Sequence, residues 1–333
     1  MILPTRASLD AWSKHALILG GAGFIGANLV RRLLDAGQRV TVIDNLSRGS
    51  EDLLAPYRGQ PGFTFIRADL SAADSCKRAF DDANRSPIQE VWHLAANSDI
   101  PAGVSDPRID LRDTFMTTFE ALRNMRRLGL AILHFASSSA VYGDWKDTPL
   151  HESLGPLKPI SNYGAMKLAS EAQICAAKES FLSVANVFRF PNVVGAPATH
   201  GVIHDFIKRL RDDPAQLEVL GNGTQQKAYL HVDELINAML VVCARESAAQ
   251  TEIVNIGPAD SGASVRSIAE SVVARVSPSA RITYGESDRG WVGDVPRFRY
   301  SIERIRSFGW EPQLDSLAAV RRAVDDIARE WGL

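Results

Sequence analysis

Residues Ala16 to Asp44 read ALILGGAGFIGANLVRRLLDAGQRVTVID. Ala16–Leu19 is a short apolar run that passes directly into Gly20-Gly21-Ala22-Gly23-Phe24-Ile25-Gly26. From Ala27 to Ala36, Leu29, Val30, Leu33 and Leu34 share one side of a helix, and Gly37 stops it. Arg39–Ile43 then reads as a second strand ending at Asp44. Glycines let such a turn bend tightly and let backbone approach a pyrophosphate, while the helix N-terminus offers free N–H groups and a positive dipole end. An acid closing the second strand accepts hydrogen bonds from an adenosine ribose diol and repels a 2′-phosphate. Asp44 therefore favours NAD over NADP. The alternative is a glycine-rich connection that binds nothing; the acid at the right place argues against it.

The alternation continues. Phe63–Arg67 reads as a third strand leading to Asp69-Leu70, which would lie near the adenine, and Ala72–Ala83 as a helix. Glu90–Leu94 reads as a fourth strand, followed by Ala95-Ala96-Asn97, small enough for a cofactor to lie close. His93 in that run is expected to be a packed, hydrogen-bonded core histidine. Pro107–Leu128 reads as one long helix with Leu111, Phe115, Phe119 and Leu122 at helical spacing. This stripe is most simply core; with the 161–178 helix it is otherwise half of a homodimer contact. Ala131–Ala136 is a fifth strand entering Ser137-Ser138-Ser139. Repeated β-α-β units with apolar strands predict a Rossmann-type doubly wound parallel sheet that binds ligands beyond its C-terminal strand ends.

After the Leu182–Phe190 strand and Pro191-Asn192-Val193-Val194-Gly195 the pattern changes. Val202–Leu210 reads as a helix, Leu217–Leu220 as a short strand and Gly221-Asn222-Gly223 as a turn. Tyr229–Glu234 is expected to re-enter the first domain, and Glu252–Ile256 to add a strand. Helices at Val265–Val276 and Leu314–Trp331 complete a smaller, interleaved α/β substrate domain. The expected boundaries are 1–190 plus about 225–258 for nucleotide binding, and about 191–224 plus 259–333 for the substrate.

Thirty-seven basic and 39 acidic residues give a net charge of −2, which supports neither nucleic acid nor an acidic membrane as a partner. No run of 18 apolar residues predicts a membrane span. The start, MILPTRASLDAWSKH, lacks the apolar core of a signal peptide and reads as a short extension. Cys76, Cys175 and Cys243 are scattered, which fits a reducing, cytoplasmic setting with no disulfide frame and no zinc site. His200, His204 and His231 show no ligand spacing with acids, so no metal is expected.

Tyr163 and Lys167 stand four apart and share one face of a helix. Ser138 ends the buried run before them. A lysine ammonium favours a neighbouring phenolate, so Tyr163 is expected to lose its proton below its ordinary pKa of about 10 and to serve as base for a sugar or alcohol hydroxyl. The alternative is a structural tyrosine beside a solvated lysine.

GGAGFIG, VIDNLSRG, Asp69-Leu70, HLAA, SSSAVYG, YGAMK, RFPNVVG, GNGTQQKAYLHVDE and GDVP follow in this order over nearly the whole chain. Together they resemble the extended short-chain dehydrogenase/reductase family, and within it the nucleotide-sugar epimerases. The resemblance implies that Gly20, Gly23, Phe24, Ile25, Gly26, Asp44, Asn45, Asp69, Leu70 and Ala95 hold NAD, with Tyr163 and Lys167 at its nicotinamide end. It implies Ser138, Tyr163 and Lys167 as the catalytic set. Ser138, Asn192, Val202, Leu220, Lys227 and Arg289 would hold a nucleotide-sugar, UDP-linked, with the Leu217–Leu220 segment beside the base. The implied reaction inverts C4 of the sugar through a 4-keto intermediate, on UDP-glucose/UDP-galactose or a UDP-uronic acid. Related dehydratases and decarboxylases carry a glutamate where Ala140 stands, and a methyl group moves no proton. Those reactions, or a net oxidoreductase, are the alternative enzymes; a non-catalytic NAD-sensing protein is the alternative of another class. Thr114 stands where many relatives have Asn, Lys227 where an Arg is expected, and Trp291 where the 4-epimerases carry a phosphate-binding Arg.

Overall fold

All five residues of β1 (His15–Leu19) are buried, as a strand covered on both faces requires. The computed structural model describes residues 15–146, 148–245, 251–287 and 299–333. The N-terminal extension and the loop carrying Arg289 and Trp291 lie outside the described residues. β1 leads into α1 (Phe24–Asp35), which starts three residues earlier than the apolar pattern predicts because the glycine turn supplies its first turn. α1 buries Leu29, Val30 and Leu33, and Gly37 at φ +77° ends it. Then come β2 (Arg39–Asp44), β3 (Phe63–Arg67), α2 (Ala73–Ala83) and β4 (Glu90–His93). Further on are α3 (Ile100–Ser105), α4 (Pro107–Asp110), α5 (Thr117–Leu128), β5 (Ile132–Ala136), α6 (Asn162–Ser180) and β6 (Val184–Arg189).

The sheet runs β3-β2-β1-β4-β5-β6 and closes with the Thr251–Asn255 strand. β1 pairs in parallel with β2 on one side and β4 on the other, so the strand order reverses between β1 and β4. A crevice at such a reversal is where open α/β sheets take ligands. Leu17, Leu19, Phe80, Val91, Met125, Phe135, Ile174 and Val187 form one core beside the sheet. The fold class is the one expected.

The 107–128 helix is not uniform. A π-helical turn, Leu111–Met116, separates α4 from α5. It shifts the helical register, and the expected core stripe fails. Leu111 is 48% exposed, Phe115 and Phe119 are half-buried, and only Leu122 is buried. The face turned inward carries Asp110, Thr114, Thr117, Thr118, Ala121 and Met125.

His93 behaves as expected, fully buried with its Nε2 3.0 Å from Thr118 Oγ1. Burial, then the Lys167 charge, push its pKa down to about 3. The unfolded chain, with His93 near 6.5, binds more protons than the native one between those values. His93 therefore makes stability fall by several kcal/mol as pH drops from about 6.5 to about 3. Urea unfolding across that range should show the loss, and His93→Asn should flatten it; an equally steep loss in the variant would remove His93 as the cause.

The chain divides into two compact units, Met1–Val141 with Lys158–Arg189 and Met239–Val254, and Tyr142–Leu157 with Phe190–Ala238 and Asn255–Leu333. The boundaries differ from those expected. Tyr229–His231 does not return to the large sheet but pairs in parallel with Asn192–Val194, and Tyr229 joins the second unit's core. The 142–157 stretch also belongs there. Tyr142 Oη donates to Asn255 Oδ1 at 2.7 Å, and Leu150 N–H donates to Arg299 O at 2.8 Å. Around Phe206, Ile207, Leu217, Val219, Ile268, Val272, Val320 and Val324 this unit builds its own core.

Candidate active site

The glycine turn is a cradle shaped by contacts that leave no room for side chains. A Cβ on Gly26 would fall 2.3 Å from Gly20 O, and one on Gly20, at φ +83°, would fall 2.6 Å from Ala95 N. Gly23 differs. Its Cβ would meet only Gly20 O, at 3.5 Å, an ordinary contact. The protein itself does not demand glycine there, so the bareness of Gly23 leaves backbone open to a ligand. Gly23 caps α1 without a side-chain bond, and the first turn, which opens with the half-buried Phe24 and Ile25, carries no acid. Its N–H groups are therefore available to a diphosphate. We expect Gly23→Ala to leave the melting temperature nearly unchanged but to weaken NAD binding about tenfold or more, read by calorimetry. Unaltered affinity would remove Gly23 from the cofactor site.

Asp44 closes β2 and is mostly buried. Its Oδ2 accepts from Ala22 N–H at 3.0 Å and its Oδ1 from Leu46 N–H at 2.8 Å, so it braces the turn. Burial pushes its pKa up, and these bonds pull against that. Asn45 Oδ1 accepts from Ser47 N–H, and a Cβ on the following Gly49 would strike Ala22 O at 2.3 Å. Gly49 is thus a cradle residue that the sequence reading passed over, although it stands in the VIDNLSRG stretch. Asp69 Oδ1 accepts from Ser71 N–H and Oγ–H. Leu70 turns its side chain into the core, leaving only backbone for a ligand. Ala95, whose N–H donates to Leu19 O at 2.9 Å, sits half-buried at the end of β4. Every one of these groups lies at the C-terminal end of its strand, and together they fit NAD.

At the end of β5 the structure brings Ser138, Tyr163 and Lys167 together. Ser161 caps α6 through Oγ, which accepts from Gly164 N–H at 3.1 Å. A Cβ on Gly164 would fall 2.4 Å from Ala140 O, so glycine after Tyr163 lets α6 start against the Ser138–Ala140 turn. The Ser138 hydroxyl, whose Oγ accepts from Ala140 N–H at 3.2 Å, lies close enough to Tyr163 to act on its acidity. Lys167 is 2% exposed; its Nζ donates to Ala136 O at 2.6 Å and lies 4.7 Å from the Phe135 ring centroid and 5.9 Å from that of Tyr163.

Burial outweighs the expected pull of Lys167 on Tyr163. Burial pushes Lys167 down to about 7, with the Glu171 carboxylate opposing. Burial likewise pushes Tyr163 up to about 12; the Ser138 hydroxyl opposes this and the Asp110 charge adds to it. Lys167 alone therefore does not make Tyr163 a phenolate near neutral pH. Spacing on a helix shows that two groups share a face, but not how far both are removed from water.

A buried brace lies one turn beyond Lys167. Glu171 accepts from Ser137 Oγ–H, from Arg189 Nε–H at 3.0 Å and from Arg189 Nη2–H at 2.6 Å, with both charged side chains 4% exposed. It ties α6 to the ends of β5 and β6. Glu171 follows Lys167 by four residues, and that spacing was its only signal in the sequence.

The second unit carries the other candidates. Asn192 is exposed, and its Nδ2 donates to Ala228 O at 3.4 Å, next to Lys227. Lys227 is half-buried in a two-residue strand paired with Ala263–Ser264. Val202 opens the Val202–Asp212 helix and packs against the second core. Leu217 and Val219 are core residues, whereas Leu220 is 65% exposed. The expected base-lining segment thus presents only Leu220. Among the described residues no helix is long and apolar enough to cross a membrane.

A family model described as the NAD dependent epimerase/dehydratase family matches residues 16–257. A UDP-glucose 4-epimerase of Streptomyces lividans is 30% identical over 328 residues, spanning 93% of this chain and 95% of that protein. Among solved structures, a UDP-galactose 4-epimerase is 32% identical with a TM-score of 0.82, covering 95% of this chain and 99% of its own. A dTDP-glucose 4,6-dehydratase from Streptomyces venezuelae, solved with NAD bound, is 26% identical with a TM-score of 0.80, covering 95% and 97%.

Proposed function

The chain belongs to the NAD-dependent epimerase/dehydratase family, and from that membership we propose that it is a nucleotide-sugar 4-epimerase acting on UDP-glucose/UDP-galactose or a UDP-uronic acid. The observation that carries the reading is the meeting of Ser138, Tyr163 and Lys167 at one strand end, with a methyl group at Ala140. When bound, NAD supplies a hydride acceptor that returns what it takes, and a positive charge beside the phenol. Tyr163 Oη takes the proton of the C4 hydroxyl as that carbon is oxidised, and gives it back when the 4-keto sugar is reduced on its other face. Ser138 Oγ holds the C4 oxygen through both steps. Lys167, screened from water, orients the ribose end of the cofactor and favours the phenolate whenever it carries its proton. In this reading Asn192, Lys227, Val202, Leu220 and Arg289 keep the nucleotide anchored while the sugar turns over.

The solved dehydratase neighbour favours a second reading, elimination or decarboxylation on the same substrates. That chemistry needs an additional proton carrier, and Ala140 supplies none. A non-catalytic NAD sensor needs no base at all, which the buried Tyr163–Lys167 pair argues against. Free Cys76, Cys175 and Cys243 support a cytoplasmic setting, and the exposed Leu111 supports two copies pairing through the 107–128 and 161–178 helices. The direct test incubates pure protein with UDP-galactose, UDP-glucuronate and UDP-N-acetylglucosamine, without added NAD, and follows C4 by NMR. Inversion of one of them is expected. Release of water or CO2, or build-up of NADH, would support the second reading, and no change in any sugar would overturn the first.

A further inference from the structure

Asp110 closes α4 just before the π-helical turn, and it is completely buried. Its Oδ1 accepts from Asn97 Nδ2–H at 2.9 Å. Its Oδ2 is also buried and has no hydrogen-bond partner. That oxygen lies against Gly103 of α3, where a Cβ would fall only 1.8 Å away. Gly103 O in turn accepts from Asn162 Nδ2–H at 2.8 Å, and Asn162 immediately precedes Tyr163. The carboxylate and the glycine therefore pack against the start of α6, one residue before Tyr163. Buried carboxylates are ordinarily bonded on both oxygens or paired with a cation. Among the described residues no cation pairs with Asp110, and a π turn beside such a group is a frequent mark of a functional position.

Three acids and one ammonium define the charge here. Asp99, at the N-terminus of α3, and Asp113, in the π turn, face Asp110 and raise its pKa after burial has done so. Asp99 is met by Arg48 at 3.4 Å and Asp113 by Arg112 at 2.6 Å. Lys167 lies on the same α6 face as Tyr163. Asp110 alone is left without a counter-charge.

We propose that Asp110 is a positioning residue for Tyr163: its buried carboxylate, bonded on one oxygen and bare on the other, supplies the negative charge that opposes Lys167 and keeps the proton on the phenol until substrate and cofactor are in place. The acidity of Tyr163 is then set by its burial and by the Asp110 charge, which Asn97 fixes. Burial raises the Tyr163 pKa first, and the Asp110 charge adds to it, in the direction proposed.

The inference rests on Tyr163 as the base, but its test does not need turnover. The full chain, with NAD added, is labelled with 13C at tyrosine Cζ, and the Tyr163 signal is identified by its loss in Tyr163→Phe. Its titration midpoint is then compared in wild type, Asp110→Asn and Asn97→Ala. Asp110→Asn should lower the midpoint by about one pH unit. Asn97→Ala removes the donor that favours the charged carboxylate and should lower it by less. A midpoint that stays or rises in the folded variants would overturn the proposal, and Asn97→Ala decides if Asp110→Asn fails to fold. Should no sugar be inverted in the activity assay, this titration still stands or falls by itself.

Discussion

Tyr163→Phe should lower turnover about a thousandfold or more while leaving NAD affinity and the melting temperature close to wild type. The substitution removes one oxygen from a half-buried ring. What disappears entirely is the phenol oxygen that the proposed mechanism uses to take up and return a proton. Lys167 does not replace it, because its Nζ is turned to Ala136 O at 2.6 Å and is buried. Parallel measurement of turnover, NAD titration and calorimetry separates chemistry from folding. Turnover within tenfold of wild type would remove Tyr163 from the mechanism.

The largest stability effect is expected at Glu171. In Glu171→Ala, Arg189 keeps its charge in a site 4% exposed but loses the carboxylate that holds its Nε and Nη2. An uncompensated buried charge of this kind costs about 3–5 kcal/mol. For a chain of 333 residues that is a fall in melting temperature of about 4–7 °C. Ser137 loses its acceptor at the same time, so the strand end bearing Ser138 loosens against α6. Pairing the change with Arg189→Met should restore much of the lost stability, since it removes the uncompensated buried charge. If the double variant is no more stable than the single one, the brace owes its strength to packing and not to the ion pair.

The cradle and the fold were readable because their signals are local. Glycines 20, 23 and 26, the apolar strand and the acid at position 44 all lie within one short stretch, and each follows from backbone geometry. β3 falls at the positions its apolar alternation predicts, as does the Val265–Val276 helix. The 107–128 helix misled because a fixed 3.6-residue period was assumed across a turn that is π-helical; Thr114 is buried where Leu111 is exposed. Tyr229–Glu234 misled for a different reason. A three-residue strand carries no information about its partner, which here is Asn192–Val194.

The proton chemistry divides in the same way. Spacing placed Tyr163 and Lys167 on one face, and the structure keeps them there. Their acidities are tertiary properties, set by burial against Phe135 and by charges from α4 and α6 remote in sequence. Asp110 and Glu171 escaped notice because a lone acid in a polar helical stretch reads as solvated surface. Only the packed structure reveals that one is bonded on a single oxygen and the other on both.

The account stands on one event, oxidation and re-reduction at C4 of a bound nucleotide sugar with Tyr163 handling the proton. Its sharpest test gives the protein UDP-galactose deuterated at C4, in ordinary water, and follows the label by NMR and mass spectrometry. The account predicts that the inverted product keeps deuterium at C4 and that Tyr163→Phe forms none of it. Inversion with loss of the label to water, or unimpaired inversion by Tyr163→Phe, would contradict it.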